Sequence, residues 1–288
     1  MDSASKDVLF TIAMNLDLPS LLNWCESNSK IEKSVCNNSN VWRSKLLKDY
    51  PDYKIFNLEK SLKEIYVFIY QLSLIKKLLD SKESLYEIYV MRVINISNKG
   101  LKKVPAFDLP NLQILNLSNN NLIKVPLFNL PNLESLYLFS NILMEVPVFD
   151  LPNLRELRLD DNRLTNVPAF DLPNLHSLNL SDNRLTEVPE FDLPNLQRLD
   201  LHSNLLTKVP AFVFSNLHSL NLSDNQLTEV PEFDLPNLLL LYLSRNRLTK
   251  VPEFFLPKLR KLELFENPLT KKEKKRIREK YGDKILFI

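Results

Sequence analysis

One segment of the chain occurs twice, forty-two residues apart, with only three changes in 21 positions. The first copy reads LPNLHSLNLSDNRLTEVPEFD from Leu172 to Asp192, and the second reads FSNLHSLNLSDNQLTEVPEFD from Phe214 to Asp234. The shift equals two periods of 21 residues, and this period continues from Ile96 to Leu264 without an insertion or deletion. A fixed period of this length is the signature of a chain that stacks similar coils. The repeat therefore predicts a solenoid.

A leucine or isoleucine marks each period and indicates where the core lies. The column contains Ile96, Leu117, Leu138, Leu159, Leu180, Leu201, Leu222, Leu243 and Leu264. In an LxL strand the two leucines point to one side and their neighbours to the other. A single coil cannot bury its leucines, so neighbouring coils must pair their strands in parallel, about 4.8 Å apart, around one core.

Three further columns specify the turns and the opposite limb of each coil. An asparagine column contains Asn120, Asn141, Asn162, Asn183, Asn204, Asn225, Asn246 and Asn267. Because an amide has both donors and an acceptor, we expect these side chains to satisfy buried backbone groups, a structural role. Proline at Pro126 and its equivalents prevents central-strand pairing. We therefore expect an extended or turn-rich convex limb, with the column of Phe128 as a second spine.

The consensus LPNLxxLxLSxNxLTxVPxFD resembles the leucine-rich repeat, whose signature is LxxLxLxxNxL. The short, proline-rich unit is similar to the bacterial type of this repeat. The resemblance implies an α/β solenoid: a right-handed coil with a parallel β-sheet on its concave face. We assign nine repeats to residues 91–269, the first of them atypical because Lys99 replaces the asparagine. The copy with FVFSN at 212–216 predicts a local irregularity of the convex limb.

The last residues predict an element that covers the end of the stack. Thr270 and Glu273 match a capping box, and Gly282 is a typical helix stop. We predict a capping helix in 270–288, since the terminal coil of a solenoid needs a polar cover.

The first ninety residues lack the repeat and show apolar residues at helical spacing. Ser20, and Ser39 or Asn40, are candidate helix starts, and 57–80 reads as a longer helix. We divide this part into a helical domain at 1–55 and linker helices or an N-terminal cap at 56–90.

The segment DVLFTIAMNLDLPSLLNWCESNSKIEKSVCNNSNVWRSKLLKDYP resembles an F-box. Leu16-Asp17-Leu18, Leu21-Leu22, Cys25 and Val41-Trp42-Arg43 match its features, whereas Ala4-Ser5 replace the usual Leu-Pro. The resemblance implies docking on the Skp-type adaptor of a cullin–RING ubiquitin ligase, with the repeats holding a substrate protein. The adaptor-binding residues would be Leu9, Ile12, Leu16, Leu18, Leu21, Leu22 and Trp42. The alternative is a non-catalytic interaction scaffold whose helices only cap the solenoid. The combination is similar to F-box-like proteins of large DNA viruses.

Candidate partner-binding residues are those that flank the strand leucines and depart from the usual small polar residues. They are Tyr137, Phe139, Arg158, Asp160, Arg198, Asp200, His202, Leu240, Tyr242 and Phe265. Exposed aromatic and arginine side chains are the usual energetic anchors of protein interfaces. The alternative is ordinary variation of a solvated surface.

Composition and spacing argue against several other functions. The chain has only two glycines and no glycine-rich phosphate loop. Its histidines lie in positions that cannot share a metal, so we expect no metal, no cofactor and no catalytic residue. The net charge is only +2, and no apolar stretch is long enough to span a bilayer, so we expect neither nucleic acid nor a membrane as partner. Two cysteines are too few for a disulfide framework and indicate an intracellular, cytoplasmic protein, in the host cytoplasm if viral.

Overall fold

The structure is a computed structural model that describes residues 6–282 and 285–286. The chain divides into two compact units, Met1–Val90 and Met91–Ile288, here called the helical unit and the repeat unit. Residues 56–90 therefore belong to the same unit as the segment that resembles an F-box. Ala4 and Ser5, where that resemblance is weakest, lie outside the described residues.

The helical unit is built from short helices with side-chain caps. Its elements are α1 (Lys6–Asn15), α2 (Leu18–Glu26), α3 (Ser29–Ile31), a π-helical turn (Glu32–Cys36), α4 (Ser39–Asp49), a 3-10 turn (Tyr53–Phe56), α5 (Leu62–Leu79) and α6 (Leu85–Tyr89). Asp17 caps α2 and Asn38 caps α4, rather than the predicted Ser20 and Ser39 or Asn40. The predicted helix at 57–80 begins later, at Leu62, because Ser61 and Glu64 form a capping box.

The core of the helical unit joins α1, α4 and α5. Trp42 is buried and packs against Tyr66, with ring centroids 5.6 Å apart. Lys45 is also buried, and its ammonium donates to the carbonyl oxygen of Leu16 at 2.8 Å and lies 3.4 Å from Asp49. Because a buried charge is costly without partners, these acceptors fix α4 against the end of α1.

Cys25 and Cys36 form a disulfide that the sequence analysis did not expect. The bridge joins α2 to the π-helical turn, with a Cα–Cα distance of 6.0 Å that lies in the usual range. The two residues are 11 positions apart. The two residues are close because the chain turns back at α3. The number of cysteines in the sequence does not predict that turn.

The repeat unit contains one parallel sheet with its strands in chain order. The strands are β1 (Val93–Asn95), β2 (Ile114–Asn116), β3 (Ser135–Tyr137), β4 (Glu156–Arg158), β5 (Ser177–Asn179), β6 (Arg198–Asp200), β7 (Ser219–Asn221), β8 (Leu240–Tyr242), β9 (Lys261–Glu263) and β10 (Ile285–Leu286). From β1 to β9 each residue pairs with the residue 21 positions later, as Leu136 does with Leu157. Below, coil n is the coil that contains strand βn. The predicted solenoid fold is confirmed.

The predicted asparagine ladder forms at the turn that follows each strand. Asn141 is representative: its amide nitrogen donates to Leu117 O of the previous coil and to Leu138 O of its own coil, both at 3.0 Å. Its amide oxygen accepts the N–H of Leu122 at 3.0 Å. The eight predicted residues are buried and make the equivalent bonds. In the structure these side chains therefore hold backbone groups of neighbouring coils together.

A second asparagine ladder, not predicted, follows the proline of the LPN segment. Asn132 donates to Pro110 O at 2.7 Å, and Asn153 donates to Pro131 O at 2.8 Å, each to the previous coil. These asparagines are exposed. The bond links neighbouring coils next to a proline, which has no N–H and cannot donate a backbone hydrogen bond of its own.

Each turn also places one non-glycine residue in the left-handed region. The φ angles lie between 52° and 58° at Asn98, Asn119, Ser140, Asp161, Asp182, Ser203, Asp224, Arg245 and Glu266. Asparagine and aspartate tolerate this conformation best, which accounts for most of the column. Hydrogen bonds between coils stabilise this conformation at other residues. For example, Ser140 N–H donates to Asp160 O at 3.0 Å.

The phenylalanine column forms the predicted second spine on the convex side. Phe149 and Phe170 stack with centroids 6.2 Å apart, and Phe212 and Phe233 do so at 6.3 Å. The irregular copy places a further ring in the spine, since Phe214 stacks on Phe212 at 5.3 Å. Val213 between them is 90% exposed, at a position where most other coils carry aspartate.

Helix α7 (Lys271–Tyr281) covers the end of the convex limb. Thr270 caps it, whereas Glu273 accepts from Val251 N–H at 3.0 Å instead of closing the predicted box. Arg276 donates to Val251 O, and Ile277 is fully buried. The predicted helix at 270–288 is shorter in the structure: it ends before Gly282, and β10 pairs with β9 in parallel. Residues 283–284 and 287–288 lie outside the described residues.

Candidate functional site

The concave sheet face presents two residues of each strand to solvent. In most strands the central leucine is buried and the residue on either side is half-buried, as in Ser135–Tyr137. The position after the second leucine adds a third outward column, which contains Phe139 and Phe265. Since the leucines repeat almost without change, these columns are where the coils differ from one another.

The first departure from small polar residues is a cluster on coils 3 and 4. The guanidinium of Arg158 lies 4.3 Å from the centre of the Phe139 ring. It donates twice to Asp160, at 3.0 and 2.7 Å. Tyr137 packs edge-on against Phe139 and donates its hydroxyl to Glu156 at 2.9 Å. The structure thus brings together all four predicted residues and adds Glu156, which the sequence analysis missed.

The electrostatics of this cluster favour its charged arginine and its neutral tyrosine. The hydrogen bonds to Asp160 raise the pKa of Arg158 above its usual value, so it is a permanent cation. Partial burial is the main cause that raises the pKa of Tyr137. The cluster is therefore a fixed aromatic surface with an internally paired charge.

The second group lies near the middle of the sheet. His202 Nδ1 lies 2.8 Å from Asp200 Oδ1, and Nε2 lies 3.3 Å from Asp182 Oδ2. Asp182, which the sequence analysis missed, thus bridges from the preceding coil. Arg198, predicted with this group, is exposed, and the described ion pairs do not include it.

The third group lies at the C-terminal end of the sheet, on coils 8 and 9. Leu240 and Tyr242 are half-buried, and the ammonium of Lys261 lies 5.1 Å from the centre of the Tyr242 ring. Arg245 lies 5.9 Å from the centre of the Phe265 ring and pairs with Glu266 at 3.1 Å. Lys261 and Arg245 were not predicted. Each belongs to an aromatic–cation pair that only the stacking of coils brings together.

The predicted adaptor-binding residues of the helical unit do not all reach the surface. Leu9, Leu18, Leu21 and Trp42 are buried, and Trp42 also donates its indole N–H to Cys36 O at 2.8 Å. The prediction that these four contact an adaptor is therefore corrected: they pack the core.

The remaining predicted residues lie closer to solvent. Leu16 and Leu22 are half-buried, and Ile12 is 36% exposed. Val8, one turn before Ile12 on α1, is also exposed, so the two form a short apolar stripe. The sequence pattern did not separate this stripe from the core.

A family model described as leucine-rich repeats matches five segments, of which the last four overlap: 110–151, 152–193, 173–213, 194–235 and 215–254. Together these segments cover half of the chain. The chain belongs to the leucine-rich repeat family. Leucine-rich repeat solenoids are typically binding scaffolds without catalytic activity, with a concave surface for a protein partner. All matched segments lie in the repeat unit.

Two solved structures are similar to this leucine-rich repeat protein. A Shigella effector leucine-rich repeat domain is 24% identical, with 76% of this chain and 87% of that chain covered and a TM-score of 0.52. YopM from Yersinia enterocolitica WA-314 is 22% identical, with 76% of this chain and 59% of that chain covered and a TM-score of 0.41. At this identity the likeness to the Shigella domain concerns the fold alone. No curated protein matches the sequence.

Within 6–282 and 285–286, no group of three or more histidine, cysteine, aspartate or glutamate side chains is placed to hold a metal ion. Among the described helices, none is both long and apolar enough to cross a bilayer.

Proposed function

We propose that this chain is a non-catalytic adaptor that captures a protein partner on the concave face of its repeats. The observation that supports this most is the cluster of Tyr137, Phe139 and Arg158. Neighbouring coils carry asparagine and serine at these positions, for example Asn116 and Asn179. The fold therefore does not require aromatic residues there.

The geometry of the cluster suits recognition of a protein surface. Tyr137 and Phe139 lose little conformational entropy on binding because Arg158 and Glu156 already hold them. The paired charges of Arg158 and Asp160 need no partner charge to be satisfied. Aromatic and arginine residues at the centre of an interface commonly dominate its binding energy.

Affinity capture with a matched control tests this proposal. The full chain and a Tyr137→Ser, Phe139→Ser variant are immobilised, and retained proteins from a eukaryotic lysate are quantified. An Asn221→Ser, Ser223→Ala variant changes the same columns in coil 7, away from the cluster. We expect a protein that the wild type and the control retain and the aromatic variant loses, at an unchanged melting temperature. Equal retention by all three chains would contradict the proposal.

We further propose that the helical unit docks on a Skp-type adaptor and so links the captured protein to a cullin–RING ubiquitin ligase. The F-box resemblance motivates this step, and the exposed stripe of Val8 and Ile12 is the surface on which we expect the contact. If the contact is absent, the chain is the simpler interaction scaffold that the repeats alone support. Co-migration of the full chain with a eukaryotic Skp adaptor distinguishes the two.

A further inference from the structure

Two neighbouring coils depart from the repeat at the same two outward positions of the limb that follows the sheet. The first position is threonine in the next five coils, at Thr165, Thr186, Thr207, Thr228 and Thr249, but Ile123 and Met144 in coils 2 and 3. The second, between the proline and the phenylalanine, is alanine or glutamate in the other coils, at Ala106, Ala169, Glu190, Ala211, Glu232 and Glu253, but Leu127 and Val148 in coils 2 and 3.

These four side chains are exposed on neighbouring limbs and are here called the apolar patch. Ile123, Leu127, Met144 and Val148 are 49%, 65%, 60% and 60% exposed. The two limbs are adjacent, because Met144 N–H donates to Ile123 O at 3.2 Å. The other coils show that the solenoid forms with threonine and alanine at these positions. Folding therefore gives no reason for four exposed apolar side chains on two adjacent coils.

Lysines border the apolar patch on the side of coil 1. Lys102 occupies the column of Ile123 in coil 1, and Lys103 and Lys124 occupy the next column in coils 1 and 2. All three are exposed, and none takes part in a described ion pair. Glu145 is the acidic residue of that column in coil 3. The border therefore carries a net positive charge.

We propose that the apolar patch is a second docking site, for a segment of a partner protein that combines apolar with acidic side chains. Exposed apolar patches rimmed by polar residues mark interaction sites. The lysine border favours a negatively charged partner and disfavours a positively charged one. The site lies on the limb after the sheet and uses none of the concave residues, so a partner there need not compete with the concave face.

Two other occupants fit the same surface less well. A second copy of the chain, related by a twofold axis, would present the same patch with the same net positive border, and so offers no complementary charge. Four side chains are also few against the roughly 20 to 30 residues that each partner contributes to a stable interface. A bilayer surface is disfavoured because the patch has no tryptophan or tyrosine, the residues enriched at membrane interfaces.

The repeat itself supplies the variant for the test. Ile123→Thr, Met144→Thr, Leu127→Ala and Val148→Ala give coils 2 and 3 residues that other coils already carry, so this four-substitution variant is expected to fold. A displayed library of short random peptides is selected on the full wild-type chain, and the affinity of the enriched peptides is then measured on both chains. We expect peptides rich in leucine, isoleucine or phenylalanine together with aspartate or glutamate. Their affinity should fall at least about tenfold on the variant, a loss of about 1.4 kcal/mol.

A second variant, Lys102→Glu, Lys103→Glu, Lys124→Glu, tests the charge of the border and keeps the proposal falsifiable if the first variant is unstable. The selected peptides should bind it at least about tenfold less tightly. Peptides that do not distinguish wild type from variants, or that are basic, would overturn the proposal. So would co-sedimentation with phosphatidylserine vesicles, or a dimer of the wild-type chain, that the four substitutions abolish.

Discussion

The guanidinium of Arg158 lies over the ring of Phe139, 4.3 Å from its centre, and Asp160 holds it there with two hydrogen bonds. The three residues belong to adjacent coils, so the arrangement depends on the stacking of the solenoid. It leaves one face of the aromatic cluster covered by a cation whose charge is already paired.

Replacing Asp160 with asparagine separates the role of this pair in binding from its role in stability. The change removes the charge that orients Arg158, so the protein captured by the concave face should be retained less well. Because the side chain of Arg158 is 37% exposed and asparagine keeps an oxygen that can accept from it, the free energy of unfolding should fall by no more than about 1 kcal/mol. Urea unfolding and affinity capture measure the two effects. A large loss of stability with unchanged capture would assign the pair to folding alone.

Removing one asparagine of the buried ladder should lower the free energy of unfolding strongly. Asn162 donates to the backbone oxygens of Leu138 and Leu159 and accepts from Leu143 N–H, all buried. Asn162→Ala leaves Leu143 N–H without a partner, at a cost of about 1–3 kcal/mol. It also removes one of two amide donors from Leu138 O and from Leu159 O, which keep those of Asn141 and Asn183, at about 0.5–1.5 kcal/mol for each lost bond. We expect the free energy of unfolding to fall by about 3 kcal/mol or more.

The exposed ladder provides the matched control. Asn153 donates one bond, to Pro131 O, at a site that water can reach. Asn153→Ala should therefore cost no more than about 1 kcal/mol. Denaturant unfolding of the two variants, followed by circular dichroism, measures the difference. An equal loss of unfolding free energy in both variants would show that burial does not determine how much the asparagine of the buried ladder stabilises the protein.

Removing the disulfide should destabilise the helical unit and leave the repeat unit unchanged. Cys25 and Cys36 close a short loop, and such bridges contribute about 2–4 kcal/mol. Both tryptophans, Trp24 and Trp42, lie in the helical unit, so their fluorescence follows its unfolding. A dithiol reductant should lower the urea midpoint seen by fluorescence. The Cys25→Ala, Cys36→Ala double variant should not respond to reductant, and an identical response in both chains would contradict the bridge.

The raised pKa of Tyr66 predicts that the helical unit loses stability at alkaline pH. Burial and the hydrogen bond that its hydroxyl donates to Asp49 at 2.6 Å raise the pKa of Tyr66 above its usual value. The unfolded tyrosine loses its proton near pH 10, whereas the folded one keeps it. The stabilisation is therefore complete below pH 10 and is lost as the pH rises above it.

The measurement is the urea midpoint of tryptophan fluorescence between about pH 9 and 11, a range that spans the usual pKa of tyrosine. The Tyr66→Phe variant should show a smaller decrease across this range because its ring does not titrate. A parallel decrease in both proteins would assign the pH dependence to other groups.

Much of the repeat unit was predictable because each coil repeats the same local pattern. The leucine column specified the core, and the asparagine column specified the buried ladder, since both follow from strand periodicity and amide chemistry. Contacts between coils were harder to predict. Glu156 beside Tyr137 and Asp182 beside His202 depend on which residues the 21-residue shift brings side by side.

The helical unit was less predictable because its sequence has no internal repeat. The helical spacing identified Leu9, Leu18, Leu21 and Trp42 as one apolar set with Ile12, but only the packed structure separates buried from exposed members. The disulfide was missed for the same reason. At the other end, β10 follows Gly282 in a segment that the sequence analysis assigned to the capping helix.

The proposal that the chain links two proteins is tested most directly by co-migration of the full chain with a eukaryotic Skp adaptor on a sizing column. Two variants of α1 provide the controls. Ile12 and Phe10 are nearly equally exposed, at 36% and 38%, but point to opposite sides of the helix. The account predicts a stable complex that Ile12→Asp abolishes and Phe10→Asp preserves. No complex with the wild-type chain at tens of micromolar, or equal complexes with all three chains, would contradict it.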